Sequence, residues 1–182
     1  MKSVALLASG GIDSTVLLGF YLHQNCQVRC IHFQYGQPAA ASELEAITRI
    51  SRKFNSELDT VPLGFKMACV GNEVMMRNTL FVVAAASLDP APARIALGIH
   101  RGSPYYDSTP SFLADVQRIL DGYFAGSVRV EAPFIEFTKG DIVKYAKLKR
   151  IPLNLTYSCL RKNAPECGSC PSCRDRRLIF DL

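Results

Sequence analysis

Two groups of residues have the types and spacing to do chemistry. The first is Ser9-Gly10-Gly11-Ile12-Asp13-Ser14-Thr15, which follows the apolar run Val4-Ala5-Leu6-Leu7-Ala8. Val16, Leu17, Phe20 and Tyr21 then recur at helical spacing, so the segment reads as strand, tight loop, helix. Two glycines let the backbone turn with its N–H groups aimed at phosphate oxygens, and the helix start adds a positive dipole end. Ser9, Ser14 and Thr15 supply hydroxyls. Glycine and serine alone would also suit an ordinary βα turn; the full Ser-Gly-Gly-x-Asp-Ser string favours a phosphate site. Neither Gly-x-x-x-x-Gly-Lys-Ser/Thr nor Gly-x-Gly-x-x-Gly occurs, so the loop belongs to neither common nucleotide-binding pattern.

The second group is Cys159, Cys167, Cys170 and Cys173, two overlapping Cys-x-x-Cys pairs and a fourth sulfur upstream. Four soft ligands with Gly168 and Pro171 to turn the chain suit a closed tetrahedral site, and structural zinc is the first choice over an iron–sulfur cluster or a redox dithiol. Cys26, Cys30 and Cys69 lack such spacing and read as small buried apolar residues.

These groups need a scaffold. Strands are expected at Val4–Leu7, Val28–Phe33, Leu58–Pro62, Arg94–Ile99 and Val128–Glu131. Helices are expected at Asp13–His23, Ser42–Phe54, Asn78–Leu88, Pro110–Phe124 and Lys139–Lys149. This alternation predicts an α/β, Rossmann-like, three-layer α/β/α fold on a mainly parallel sheet of about five strands, with a C-terminal four-cysteine zinc-binding segment. Ligands then sit at the carboxyl ends of the strands, where the loops after Leu7, Phe33 and Ile99 converge. Residues 64–76 are the least periodic and read as an ordered surface loop or a lid.

At 182 residues, 48% of them hydrophobic, the chain is expected to form one domain, residues 1–182, with the four-cysteine segment 159–173 inside it. No apolar run is long enough to cross a bilayer and the start does not read as a signal peptide, so a cytoplasmic location is expected. The formal charge of +5 suits phosphate ligands without demanding nucleic acid. Lys144, Lys147, Lys149 and Arg150, and the tail group Arg174, Arg176 and Arg177, read as solvated faces.

The string Ser9 to Ser14 resembles the pyrophosphate loop (PP-loop) of the adenylating ATP pyrophosphatases. That resemblance implies ATP cleaved between its α and β phosphates, with Mg²⁺, and ATP contacts from Ala8, Ser9, Gly10, Gly11, Ile12, Asp13, Ser14, Thr15, Phe33 and Tyr35. Further strings narrow it: Phe33-Gln34-Tyr35-Gly36-Gln37 with Glu43-Leu44-Glu45, then Arg77-Asn78-Thr79-Leu80-Phe81, Gly98-Ile99, Tyr106-Asp107 before Pro110 and Phe112, Ala132-Pro133, and Thr156-Tyr157-Ser158-Cys159 with the three later cysteines. In this order they are similar to the 7-cyano-7-deazaguanine synthase (QueC) family across almost the whole chain. The family implies structural Zn²⁺, a homodimer, and adenylation of the carboxylate of 7-carboxy-7-deazaguanine. Ammonia then displaces AMP to give the amide, and a second adenylation gives the nitrile.

Asp13, Ser14 and Arg77 are the expected catalytic residues, and Tyr35, Gln37, Arg77, Asn78, Tyr106 and Asp107 the expected substrate contacts. Asp107 beside Tyr105 and Tyr106 could accept the N–H and amine of the base, or cap the helix before Pro110. Asn78 could touch ligand or cap its own helix, and Tyr35-Gly36-Gln37 could be only a turn. Two departures from the family stand beside the expected pocket. Pro38-Ala39-Ala40-Ala41 replaces basic and histidine character, and His100–Tyr106 lacks the usual Asp-x-Ser-Gly stretch. They leave open a relative that joins the acid to another amine, of a protein or metabolite, or a tRNA-modifying enzyme of the same superfamily.

Overall fold

A computed structural model describes residues 3–180 except 72, 89 and 91; of 178–180 it describes the backbone alone. Five strands, β1 (Ser3–Leu7), β2 (Gln27–Gln34), β3 (Glu57–Pro62), β6 (Arg94–Leu97) and β7 (Arg129–Glu131), form one sheet in the order β3-β2-β1-β6-β7. Every pairing in it is parallel, with Val4 opposite Val28, Leu6 opposite Ala96 and Ile31 opposite Asp59. Between β3 and β6 a two-stranded hairpin intervenes, β4 (Cys69–Val70) and β5 (Glu73–Val74).

Alternation along the strands separates two cores. Val4, Leu6, Val28 and Cys30 face α1 (Ile12–His23), α2 (Ala40–Phe54) and α5 (Lys139–Leu148), burying Leu17, Ile47, Ile50 and Ile142. Ala5, Ile31, Phe33, Ile95 and Leu97 face α3 (Arg77–Ala86) and α4 (Pro110–Phe124), burying Val82, Phe112, Val116 and Leu120. This is the expected three-layer α/β/α arrangement. The chain starts at the central strand, winds to β3, then returns to β6 on the other side of β1, so the switch point lies between the carboxyl ends of β1 and β6.

Local chemistry explains the helix starts. Thr109 caps α4, its Oγ1 accepting from Phe112 N–H at 3.2 Å with Pro110 at the first helical position. Thr138 and Asp141 form a reciprocal capping box on α5. α6 (Pro171–Phe180) was not expected, because its sequence lacks a wide apolar stripe and reads as metal-binding turns followed by a basic tail. The 64–76 region contains the β4–β5 hairpin, and Cys69 on it is exposed rather than buried. No helix among the described residues is long and apolar enough to cross a membrane.

Candidate active site and cysteine centre

The first loop turns on Gly10, whose φ is +78° and whose position leaves no room for a side chain. A Cβ there would stand 2.8 Å from the Glu43 carbonyl and 3.1 Å from Ala46 Cβ on α2. The loop then binds itself together. Ser9 N–H donates to Ser14 Oγ at 3.3 Å, Gly11 N–H donates to Ser9 Oγ at 3.2 Å, and Ser14 Oγ donates to the Gly11 carbonyl at 3.2 Å. The first-turn N–H groups of α1 lack intrahelical acceptors and stay available to an anion. Gly98 brings β6 against the same turn, since a Cβ there would meet Ser14 N at 3.0 Å.

A cavity of about 290 Å³ opens over the ends of β1, β2 and β6. Ala8, Ser9, Gly11, Ile12, Asp13, Ser14, Phe33, Tyr35, Arg77 and Asn78 line it. Asp13 receives Lys139 Nζ at 2.6 Å on both carboxylate oxygens, and His100 Nε2 stands 3.9 Å away. An ammonium at the start of α5 thus faces the helix start of α1. The pair sets an ammonium and a carboxylate side by side on the cavity lining.

Also on the lining, Phe33 and Phe81 stack with centroids 4.5 Å apart at 11°, and Tyr35 leans on Phe81 at 5.4 Å. Burial pushes the Tyr35 phenol up, and the neighbouring Arg77 guanidinium opposes the shift. Burial likewise raises the Glu43 carboxyl, with Gln37 and Arg77 opposing. His32, fully buried beneath the loop, bonds Ala8 O through Nδ1 at 2.9 Å; since a carbonyl only accepts, Nδ1 carries the proton. Desolvation lowers its pKa and keeps the ring neutral.

Five residues marked in the sequence do not line this cavity. Gly10 packs on α2, and Thr15 Oγ1 donates to the Gly11 carbonyl at 2.8 Å. Gln37 is buried among Tyr35 N–H, the Phe33 carbonyl and Glu43. Tyr106 is exposed and its hydroxyl donates to Asp115. Asp107 accepts Asn78 N–H at 3.2 Å while its carbonyl takes Asn78 Nδ2 at 2.9 Å. It therefore caps α3 from a distance, and the cap before Pro110 is Thr109. Residues 38–41 also stand outside the cavity. Ala39 is fully buried against Tyr157, Cys159, Cys170 and Cys173, which accounts for a small residue there.

Lys139, Glu43, Phe81, Ser158, Ser172, Asp175 and Arg176 line the cavity without having been assigned to the site, although Glu43, Phe81 and Ser158 stand within the strings shared with the family. Lys139 carried a legible signal, since it opens a predicted helix after a predicted strand. The residues on α6 carried none.

The four sulfurs of Cys159, Cys167, Cys170 and Cys173 lie within 4.8 Å of one another. Tetrahedral zinc thiolates need sulfurs roughly 3.8 Å apart, and Cys167 and Cys173 stand at 3.9 Å. Cys170 N–H donates to Cys167 Sγ at 3.3 Å and Cys167 N–H to Cys159 Sγ at 3.5 Å, as thiolates accept. Backbone donors at Ser169 and Cys170 pull the Cys167 thiol down to about 5. The donor set fits a soft metal ion. The lobe is also tied to the phosphate loop: Tyr157 N–H donates to the Gly10 carbonyl at 3.0 Å, and Arg176 Nη1 donates to Thr156 Oγ1 at 2.6 Å.

A parallel sheet with this strand order, a Ser-Gly-Gly-x-Asp-Ser loop at its switch point and a four-cysteine lobe beside it define an α/β protein of the PP-loop class. Solved structures agree on the fold. A 4-thiouridine synthetase, solved as an RNA complex with bound ATP, superposes with TM-score 0.61 at 20% identity over 99% of this chain and 51% of that one. A predicted subunit of tRNA methyltransferase from Methanocaldococcus jannaschii superposes with TM-score 0.53 at 11% identity, over 81% and 75%.

The family model described as queuosine biosynthesis protein QueC matches residues 2–75 and 68–181, so the chain belongs to the QueC family. The 7-cyano-7-deazaguanine synthase of Methanothermobacter thermautotrophicus is 28% identical, with 100% of this chain and 95% of that protein aligned. That of Oceanobacillus iheyensis is 30% identical, over 99% and 94%. The two family matches meet at 68–75, the β4–β5 hairpin.

Proposed function

We propose that this chain is an ATP-dependent carbon–nitrogen ligase that adenylates the carboxylate of 7-carboxy-7-deazaguanine, forms the amide with ammonia and dehydrates it to 7-cyano-7-deazaguanine. Its support is the convergence, in a chain matched by the QueC model over nearly its full length, of phosphate loop, Lys139 and Arg77 on one cavity. The substrate carboxylate oxygen attacks the α-phosphorus of ATP, and the bond to the β-phosphate breaks to release pyrophosphate. The first-turn N–H groups, Ser14 and Lys139 stabilise the departing charge, and Asp13 holds Lys139 in place until phosphate arrives. Ala8, Phe33 and Tyr35 complete the nucleotide contacts; Arg77 orients the carboxylate and Asn78 the wall beside it.

In this reading Cys159, Cys167, Cys170 and Cys173 would hold a structural Zn²⁺, and Mg²⁺ bound with the ATP phosphates would offset charge on the departing pyrophosphate. The working unit is a homodimer, which sedimentation tests. Mass spectrometry after incubation with the acid, ATP, Mg²⁺ and ammonia tests the activity. A nitrile product supports it; an amide that never advances, or a conjugate formed only with another amine, replaces the final step, and no adenylation of the acid removes the reading.

A further inference from the structure

Among the described residues three carboxylates line the cavity, Asp13, Glu43 and Asp175, and of these Glu43 is placed to read a base. Asp13 holds Lys139 with both oxygens, and Asp175 stands exposed on α6. Glu43, in the first turn of α2, is partly buried. Its Oε2 accepts Gln37 Nε2 at 2.9 Å, while Oε1 takes no hydrogen bond among the described residues. Gln37 is a bracket: the same Nε2 reaches the Phe33 carbonyl at 3.2 Å and its Oε1 accepts Tyr35 N–H at 2.8 Å, so Glu43 is fixed relative to the end of β2. Beside it lie the stacked Phe33–Phe81 pair and the Arg77 guanidinium. One wall thus carries a flat aromatic surface, an acceptor pair and a cation.

Resting on the function proposed above, we infer that Glu43, positioned by Gln37, is the specificity residue that reads the guanine-type edge of the substrate. A 2-amino-4-oxo ring presents two adjacent donors, the ring N–H and the exocyclic amine, and an ionised carboxylate accepts both. Adenine presents a ring nitrogen lone pair beside its amine, which a carboxylate repels, so the Glu43 edge itself disfavours adenine. Arg77 then stands to take the substrate carboxylate. Asp107 does not serve, because its carboxylate is engaged with Asn78 N–H away from the cavity.

Titration calorimetry of the full chain with 7-carboxy-7-deazaguanine, its 2-deamino counterpart and ATP separately tests the assignment. Wild type is expected to bind the acid about tenfold to hundredfold more tightly than the 2-deamino counterpart. Glu43→Gln is expected to lose that preference while ATP affinity stays within about twofold, the shift expected of a site elsewhere in the cavity. Equal affinity of wild type for the two acids overturns the inference without any variant. So does a Glu43→Gln protein that keeps the preference. If wild type binds neither acid but binds ATP, the proposed activity itself fails, and the subsite with it.

Discussion

From Ser9 to Thr15 the chain is held by its own hydroxyls, by Gly10 packed on α2 and by buried strands on either side. From Cys159 to Cys173 it has little of that: residues 160–165 are all exposed, and what converges inside is four sulfurs. The first region can form from packing and backbone hydrogen bonds alone. The second buries little apolar area besides its cysteines, Tyr157, Ala39 and Ala46, so a metal ion on the four sulfurs would add folding free energy there. Yet the two touch through Tyr157 and Gly10, and α6 supplies part of the cavity wall, so the weaker region leans on the site of chemistry.

Removing the metal with a chelator, or replacing Cys170 by Ser, should produce the largest effect, destabilising the lobe by on the order of 3 kcal/mol or more. Proteolysis should cut first within 159–170, and ATP affinity should fall with it because Tyr157 and Arg176 lose their anchorage. If ATP binds as before while the lobe is cleaved, the two regions are independent. Asp13→Ala should do the reverse. Adenylation measured by pyrophosphate exchange should fall about a hundredfold to a thousandfold, while thermal melting barely moves. Gly10→Ala sharpens the contrast from the loop side, since it forces a Cβ against the Glu43 carbonyl at a left-handed φ. We expect a loss of about 1–3 kcal/mol in urea unfolding, with the four thiols still binding metal.

A smaller effect comes from pH. His32, bonded to Ala8 O beneath the loop, has its folded pKa lowered by desolvation below the unfolded value. Above the unfolded pKa, near 6.5, both states are neutral and its contribution is full. As pH falls below that value the unfolded chain takes the proton first and stability drops, by at most about 1.4 kcal/mol per pH unit. Urea midpoints of wild type and His32→Gln should therefore converge between pH 7.5 and pH 5, and parallel curves would remove His32 from the explanation. Least of all, Tyr157→Phe deletes only the hydroxyl that donates to the Lys162 carbonyl at 2.7 Å. It should cost about 1 kcal/mol and leave the backbone link to Gly10 intact.

Patterns of period two and 3.6 placed the five sheet strands and the first five helices, because each must bury a face against the same sheet. The phosphate loop and the cysteine centre were legible for a related reason: their residues are close in sequence, so local spacing carries the geometry. Long-range pairings were not. Asp107 next to two tyrosines has the composition of a base-binding site, and the tertiary fold instead spends it on capping α3, 29 residues away in the chain. Gln37 likewise turned inward to brace Glu43, whose own letter in an amphipathic helix had no feature to set it apart from Glu45. The Lys139–Asp13 contact spans 126 residues and exists only because β6 and β7 bring α5 beside α1.

The sequence by itself determined the layered α/β fold, the phosphate loop and the four-sulfur set, since each follows from hydrophobic period or from neighbours along the chain. Only the tertiary structure decided which carboxylates face the cavity, because a side chain's partner across the fold depends on where distant elements pack and not on the residues beside it.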